Sequence, residues 1–289
     1  MLRLCLCAAA LALTGCAADP PRPAGADRPD GLLVLAVLSP ERLLVADPRT
    51  GETREREMPG GTFCHGPVLA AGDRVVYAGL RGGEPVALTL GLDLRGRGRP
   101  LAAGDPIGTL FAGPDPRLPR WSVVEGIVDG GLLFRDDHGL ALWRGTARVR
   151  VRDGWPLAAG ASRFAWCRGD DLCREAGVWS PDGTHALDPP PGVQARLGGR
   201  GAFSPDGGRL ALPVQARGRD RVAVVDLASG HWELGARLAG YRAVAWSPSG
   251  RWVYSTGRRR VIAWAPGERP PRALPIRTGG TVMSIAATG

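Results

Sequence analysis

Between residues 201 and 267 one pattern is written twice. Ala202-Phe203-Ser204-Pro205-Asp206-Gly207-Gly208-Arg209-Leu210-Ala211-Leu212 returns as Ala245-Trp246-Ser247-Pro248-Ser249-Gly250-Arg251-Trp252-Val253-Tyr254. Ser204 and Ser247 stand 43 positions apart. Self-similarity at a period of about 20 to 50 residues marks a solenoid or a propeller. Each copy is an apolar run, a Ser-Pro-x-Gly turn and a second apolar run. Pro fixes φ at about −65° for the first corner, Asp or Ser bonds the backbone just ahead, and Gly takes the positive φ that a bulkier residue resists.

Flanked by β-formers such as Val244, Trp246, Trp252, Val253 and Tyr254, the turn reads as a hairpin. A third strand follows in each copy, at residues 222–225 and 261–264, and a short fourth near 231–234 or 273–276. Four strands at this spacing form a propeller blade, which runs about 40 to 45 residues.

Residues 200–280 resemble the TolB-like branch of WD40-like β-propellers, whose repeats carry a similar Ser-Pro-Asp-Gly turn between the two inner strands. The resemblance implies a disc of blades around a water-filled channel and carries over no catalytic residue. It rests on Ser204, Pro205, Asp206 and Gly207 and on Ser247, Pro248, Ser249 and Gly250, whose role is structural. Trp179-Ser180-Pro181-Asp182-Gly183 is a further copy of the turn. It precedes Ser204 by only 24 positions, so it joins two outer strands of one blade if it does not open another.

The chain divides into three parts: residues 1–15, 16–29 and 30–289. The first reads as a lipoprotein signal peptide. Arg3 supplies a minimal positive start, and residues 4–13 are an apolar run too short to span a bilayer. Leu13-Thr14-Gly15-Cys16 is similar to the bacterial lipobox, which implies diacylglyceryl transfer to Cys16 and cleavage before it. The alternative is an ordinary cleaved signal with an incidental Cys16; the full four-residue match after an apolar run favours lipidation. Pro20, Pro21, Pro23 and Pro29 then make a stiff tether, long enough at about 3.1 Å per residue to hold a domain about 40 Å from the membrane.

Residues 30–289 are long enough for one propeller with a substantial core. Gly (43) and Pro (26) are too frequent for long helices, and no sustained 3.6-residue stripe appears. The expected fold is therefore all-β, a single propeller of four-stranded blades, with six blades laid out and seven as the alternative count. Residues 31–57 supply only three strands, and residues 281–287 are an apolar strand without a blade. Pairing the two closes the ring and leaves no exposed sheet edge.

The formal net charge is +9, and all 37 basic residues are Arg. A basic surface points to anionic lipid, cell-wall polymer or nucleic acid. The absence of Lys and Asn instead fits a codon bias toward Arg, Ala, Gly and Pro, and export argues against nucleic acid. Arg258-Arg259-Arg260 reads as a solvated turn between two strands.

Cys5 and Cys7 belong to the signal and Cys16 to the lipid. Cys167 and Cys173 flank the tip of a hairpin, and facing strand positions in an oxidising compartment fall within disulfide range. Cys64 has no assigned partner. Zinc spacing is lacking, and His65, His138, His185 and His231 fall in four different blades. No Gly-x-Ser-x-Gly elbow or Walker loop appears. Arg168-Gly169-Asp170 is expected by chance in such a chain.

Trp166, Trp246, Trp252 and Trp264 sit within strand patterns and read as packing between blades. Trp121 and Trp155 lie beside loops and are the exposed candidates. Among the inner-strand segments Glu125 is the main polar exception, and one carboxylate is not an acid–base pair. No catalytic residue, metal site or cofactor is expected. The resulting expectation is a non-enzymatic binding or scaffold module, lipid-anchored and facing the extracytoplasmic side, with a protein, peptide or glycan partner. The alternative is an extracytoplasmic hydrolase or lyase with a polar or metal site in the channel mouth.

Overall fold

The computed structural model describes residues 27–58, 68–81, 84–100, 123–129, 131–136, 138–144, 147–197, 199–238, 243–257 and 259–289. Cys16, Cys64, His65, Trp121 and Arg258 lie outside the described residues. Those described form β-strands and no helix, arranged as six sheets in a ring.

The first sheet holds β1 (Leu32–Leu38), β2 (Arg42–Ala46) and β3 (Thr53–Glu57). The second holds β4 (Leu69–Ala71), β5 (Arg74–Arg81), β6 (Glu84–Gly91) and β7 (Arg99–Pro100). The third holds β8 (Val123–Val128), β9 (Gly131–Asp136), β10 (Gly139–Arg144) and β11 (Ala147–Arg152). The fourth holds β12 (Trp155–Ala159), β13 (Phe164–Gly169), β14 (Cys173–Ser180) and β15 (Gly183–Ala186). The fifth holds β16 (Val193–Ala195), β17 (Ala202–Phe203), β18 (Arg209–Ala216), β19 (Arg219–Asp226) and β20 (Trp232–Arg237). The sixth holds β21 (Val244–Trp246), β22 (Val253–Gly257), β23 (Arg260–Ala265) and β24 (Arg269–Arg277).

The last strand, β25 (Thr281–Thr288), returns to the first sheet. It pairs antiparallel with β1, matching Leu33 with Ala287 and Leu35 with Ile285. The order β25-β1-β2-β3 makes it the innermost strand of the first blade. The ring is closed by both ends of the chain, and the blade number is six.

Each blade is wedged between two others, so both faces of its middle strands are buried and the strands read as continuous apolar runs. In β1, Leu33, Leu35 and Val37 pack with Trp252 and Tyr254 of the sixth blade. The alternating Val34 and Ala36 pack with Val75 and Tyr77 of the second. Trp166, Trp246, Trp252 and Trp264 are 1, 6, 0 and 3% exposed, and fill these wedges as their strand positions imply. Trp246 Nε1 donates to the Ala202 carbonyl across the seam between the fifth and sixth blades (2.9 Å). The N–H of this buried indole is thereby satisfied.

All innermost strands run the same way. Their first residues define an upper face, and the turns that follow them a lower face. The Ser-Pro-x-Gly turns lie below. Gly207 N donates to Ser204 O and Gly250 N to Ser247 O, with φ of +71° and +70° at the two glycines. Ser204 and Ser247 are buried because their hydroxyls accept the N–H of Arg209 (2.9 Å) and Trp252 (3.1 Å) across the loop. The turn at Pro181 and Asp182 joins β14 to β15, the two outer strands of the fourth blade.

The fifth blade departs from the expected layout. Its innermost strand is divided between β16 and β17, both paired with β18. Between them Arg200 leaves this ladder, bridges Ala243 of the sixth blade and lines the axial cavity.

Candidate functional site

The six innermost strands enclose a cavity of about 510 Å³ on the propeller axis. Its wall is made mostly of small residues, including Gly126, Ala158, Ala159, Gly201, Ala202, Ala243, Ala245 and Ala286. This composition follows from geometry: strands nearest the axis converge, and large side chains there would fill the lumen. Phe203 and Trp246 line the lower part, beside Pro205 of the first repeat turn. Polar groups gather above.

Glu125 projects from β8 into this cavity. Its Oε1 lies 3.6 Å from Arg135 Nε, an ion pair too long for a hydrogen bond. Arg135 comes from β9, where its backbone faces Val123 in the ladder. Its guanidinium carbon sits 3.9 Å from the ring centroid of Trp155, at the start of β12, so the cation lies over the indole face. Trp155 is 44% exposed. It is the aromatic surface at the upper mouth that its position beside a loop suggested.

Arg200 supplies the second cation. Its carbonyl accepts from Val244 N (3.1 Å) of the sixth blade, and the next residue, Gly201, donates to the Leu157 carbonyl (2.8 Å) of the fourth. The backbone is therefore stitched on both sides. A Cβ at Gly201 would stand 2.6 Å from a Leu212 methyl and 2.7 Å from the Ala211 carbonyl, so only glycine fits there.

The segment before Arg200 is braced from the fourth blade. Leu197 N donates to Asp171 O (3.1 Å), and Leu172 bridges Arg196. Asp171 and Leu172 form the tip of the hairpin that the Cys167–Cys173 disulfide ties together, at a Cα separation of 5.4 Å. The expected disulfide thus forms, and its hairpin supports the channel wall.

Enclosure shapes the charges. Burial pushes the Glu125 carboxyl above its usual value, against the pull of Arg200 and Arg135. Burial also lowers Arg200, opposed by Glu125. Arg200 is nonetheless reached by solvent from the lumen. Arg200 thus lines the cavity as a solvent-reached cation.

The residues singled out in the repeat turns, Ser204 to Gly207 and Ser247 to Gly250, are interlocks of the lower face. Arg163 donates to Gly207 O (3.2 Å), Arg209 donates to Gly250 O, and Ser249 donates to Asp30. His138, His185 and His231 are exposed and belong to different blades. Among the described residues no three His, Cys, Asp or Glu side chains converge as metal ligands would. Sequence reasoning found Glu125 and Trp155 but missed Arg135 and Arg200. The only local signal for Arg200 is its place between Gly199 and Gly201 at the threshold of an inner strand.

Comparison with protein-family models finds no match, and comparison with curated proteins finds none. Among solved structures the chain is similar to a protein from Lactobacillus plantarum, with TM-score 0.54, 11% identity, and coverage of 90% of this chain and 99% of that one. It is similar to apo AztD from Citrobacter koseri, with TM-score 0.52, 12% identity, and coverage of 91% and 99%. It is also similar to TolB from Acinetobacter baumannii, with TM-score 0.42, 15% identity, and coverage of 89% of this chain; it spans 66% of that chain, just under two thirds. The first two likenesses are of fold, that of a β-propeller.

Proposed function

We propose that this protein is a lipoprotein, anchored outside the cytoplasm through Cys16, whose propeller acts as a non-enzymatic binding or scaffold module for a protein, peptide or glycan. One observation carries the binding reading. The axial cavity is walled by small apolar residues, and Glu125 within it faces two guanidiniums. Catalysis by general acid and base needs a second group that exchanges protons near neutral pH, and arginine does not. A raised carboxyl in a cleft favours, as a second reading, a hydrolase or lyase with Glu125 as acid.

The anchor reading agrees with the topology. Asp27, at the start of the described chain, is held at the lower face by Arg269 (2.6 Å) and Arg251 (3.6 Å). The upper mouth, with Trp155 and Arg200, lies on the opposite face from Asp27.

The test is a pull-down of the native protein from detergent-solubilised envelope, with Cys16→Ala as control and mass spectrometry as readout. The expected result is membrane fractionation that depends on Cys16 and a partner at fixed stoichiometry. A Cys16→Ala protein that stays in the membrane fraction overturns the anchor. Turnover of a glycan or ester substrate lost in Glu125→Gln overturns the non-enzymatic reading.

A further inference from the structure

Resting on the reading of the propeller as a binding module, we propose that the upper half of the channel binds the carboxylate of a small amphipathic acid. Arg200 receives the carboxylate, and the apolar remainder of the ligand lies down the channel toward Phe203 and Trp246.

The first argument is a charge count. Two guanidiniums, Arg135 and Arg200, face one carboxylate, Glu125, inside a protein wall. Arg135 is committed to Glu125 at 3.6 Å and to the Trp155 face at 3.9 Å. Arg200 makes no side-chain hydrogen bond or close ion pair among the described residues; it is exposed and lines the cavity. A partly desolvated guanidinium with an open fork is costly alone and is matched by a planar carboxylate in bidentate geometry.

The second argument is the size of that excess. The constellation carries one net positive charge, which a monoanion neutralises. A phosphate dianion would leave an uncompensated negative charge on this constellation. Among the described residues lining the cavity the only other side-chain donors are the Ser284 hydroxyl, which bonds Val68, and the Trp246 indole, which bonds Ala202. Free ammonium compounds are disfavoured, because Glu125 already faces two cations.

The third argument is shape. The cavity of about 510 Å³ lies within the range of about 300 to 1,000 Å³ for small-molecule sites. Its charged groups lie above, and its aromatic rings lie below. An amphipathic acid matches that polarity from end to end.

The test is isothermal titration of the full-length protein in detergent micelles, against a protein-free micelle blank, at low ionic strength. Hexanoate is the probe, with hexanamide and hexylamine as isosteric controls. We expect saturable binding of hexanoate, at least tenfold tighter than of hexanamide, and no binding of hexylamine. Arg200→Gln should weaken hexanoate about 10- to 100-fold, in a protein whose circular dichroism matches that of the wild type. Glu125→Gln should tighten hexanoate several-fold, since it removes the competing carboxylate. Equal binding of hexanoate and hexanamide, or an Arg200→Gln protein that binds hexanoate unchanged, overturns the proposal. Failure to bind hexanoate alongside stoichiometric capture of an envelope partner overturns the ligand class while leaving the binding module standing. Loss of both overturns the binding module as well.

Discussion

Tyr254 of the sixth blade donates its phenolic hydrogen to the backbone carbonyl of Asp30, ahead of the first blade, at 2.6 Å. The ring is fully buried, and burial together with the Asp30 charge pushes the phenol well above its ordinary value. The same Asp30 accepts from Ser249 N (3.1 Å) and Ser249 Oγ (2.8 Å) through its carboxylate. One residue thus fastens the start of the propeller to its last blade. Tyr254→Phe leaves the ring packing intact and orphans a carbonyl, which costs about 1 to 3 kcal/mol. Urea unfolding of the two proteins checks this, and an unchanged midpoint would refute it.

Closure rests even more on β25. Deleting residues 280–289 removes the innermost strand of the first blade, exposes the edge of β1, and strips Val282 and Ile285 from the core beside Trp252. The truncated protein should melt early and associate through the bared edge. Circular dichroism and size-exclusion chromatography read both effects. A truncation that melts as the full chain does and stays monodisperse would show that the ring does not depend on this strand.

The fold was legible because its signals are local. Ser204-Pro205-Asp206-Gly207 encodes its own turn, and the run from Leu33 to Val37 is apolar at every position because alternate residues face different blades. Cys167 and Cys173 were legible as a pair because a short tip separates two strands. The channel was not. Arg200 and Glu125 belong to different blades, and nothing near either residue announces the other. In a chain rich in Arg and Gly, Gly199-Arg200-Gly201 looks like any loop. The split of the fifth blade's inner strand is flanked by contacts with Asp171 and Leu172 of another blade, which no local pattern encodes. Asp30 was hidden in the same way. Asp206 bonds Ser204 within its own turn, whereas Ser249 borrows its carboxylate from the opposite end of the sequence.

Acid should loosen the lower face before it reaches the channel. Asp206 is held below its ordinary value of 3.8, first by Ser204 Oγ and then by Gly208 N. Asp226 is held low by Ser229 N and its hydroxyl. A carboxyl depressed in the fold contributes stability above its unfolded pKa and loses it as pH falls through the folded value. The loss therefore begins below about pH 4. Asp206 is exposed and Asp226 half-buried in surface turns, where screening keeps the effect modest. Glu125, raised by burial, has the opposite sign: its charged form is penalised at neutral pH, and that penalty lifts as it protonates. Asp206→Asn with Asp226→Asn should flatten the unfolding midpoint against pH below about pH 4 and leave the profile near neutrality unchanged. A double variant with the wild-type acid slope would contradict this.

Breaking the disulfide should be felt at Arg200. Cys167 pairs with Trp155 in the ladder, and the hairpin that the disulfide closes carries Asp171 and Leu172, which hold Leu197 and Arg196. The closed loop is short, so Cys167→Ser with Cys173→Ser should cost about 2 kcal/mol of global stability in the chain-entropy account. Its local effect should be larger than that figure suggests, because the bracing of the Arg200 segment passes through the hairpin tip. The Leu197 amide, which donates to Asp171 O at 3.1 Å, is the reporter. Its hydrogen exchange should quicken well beyond the change seen at core amides such as Leu212, and hexanoate affinity should fall several-fold. Exchange that rises uniformly across both amides would mean that the disulfide stabilises the propeller as a whole and does not position the channel wall.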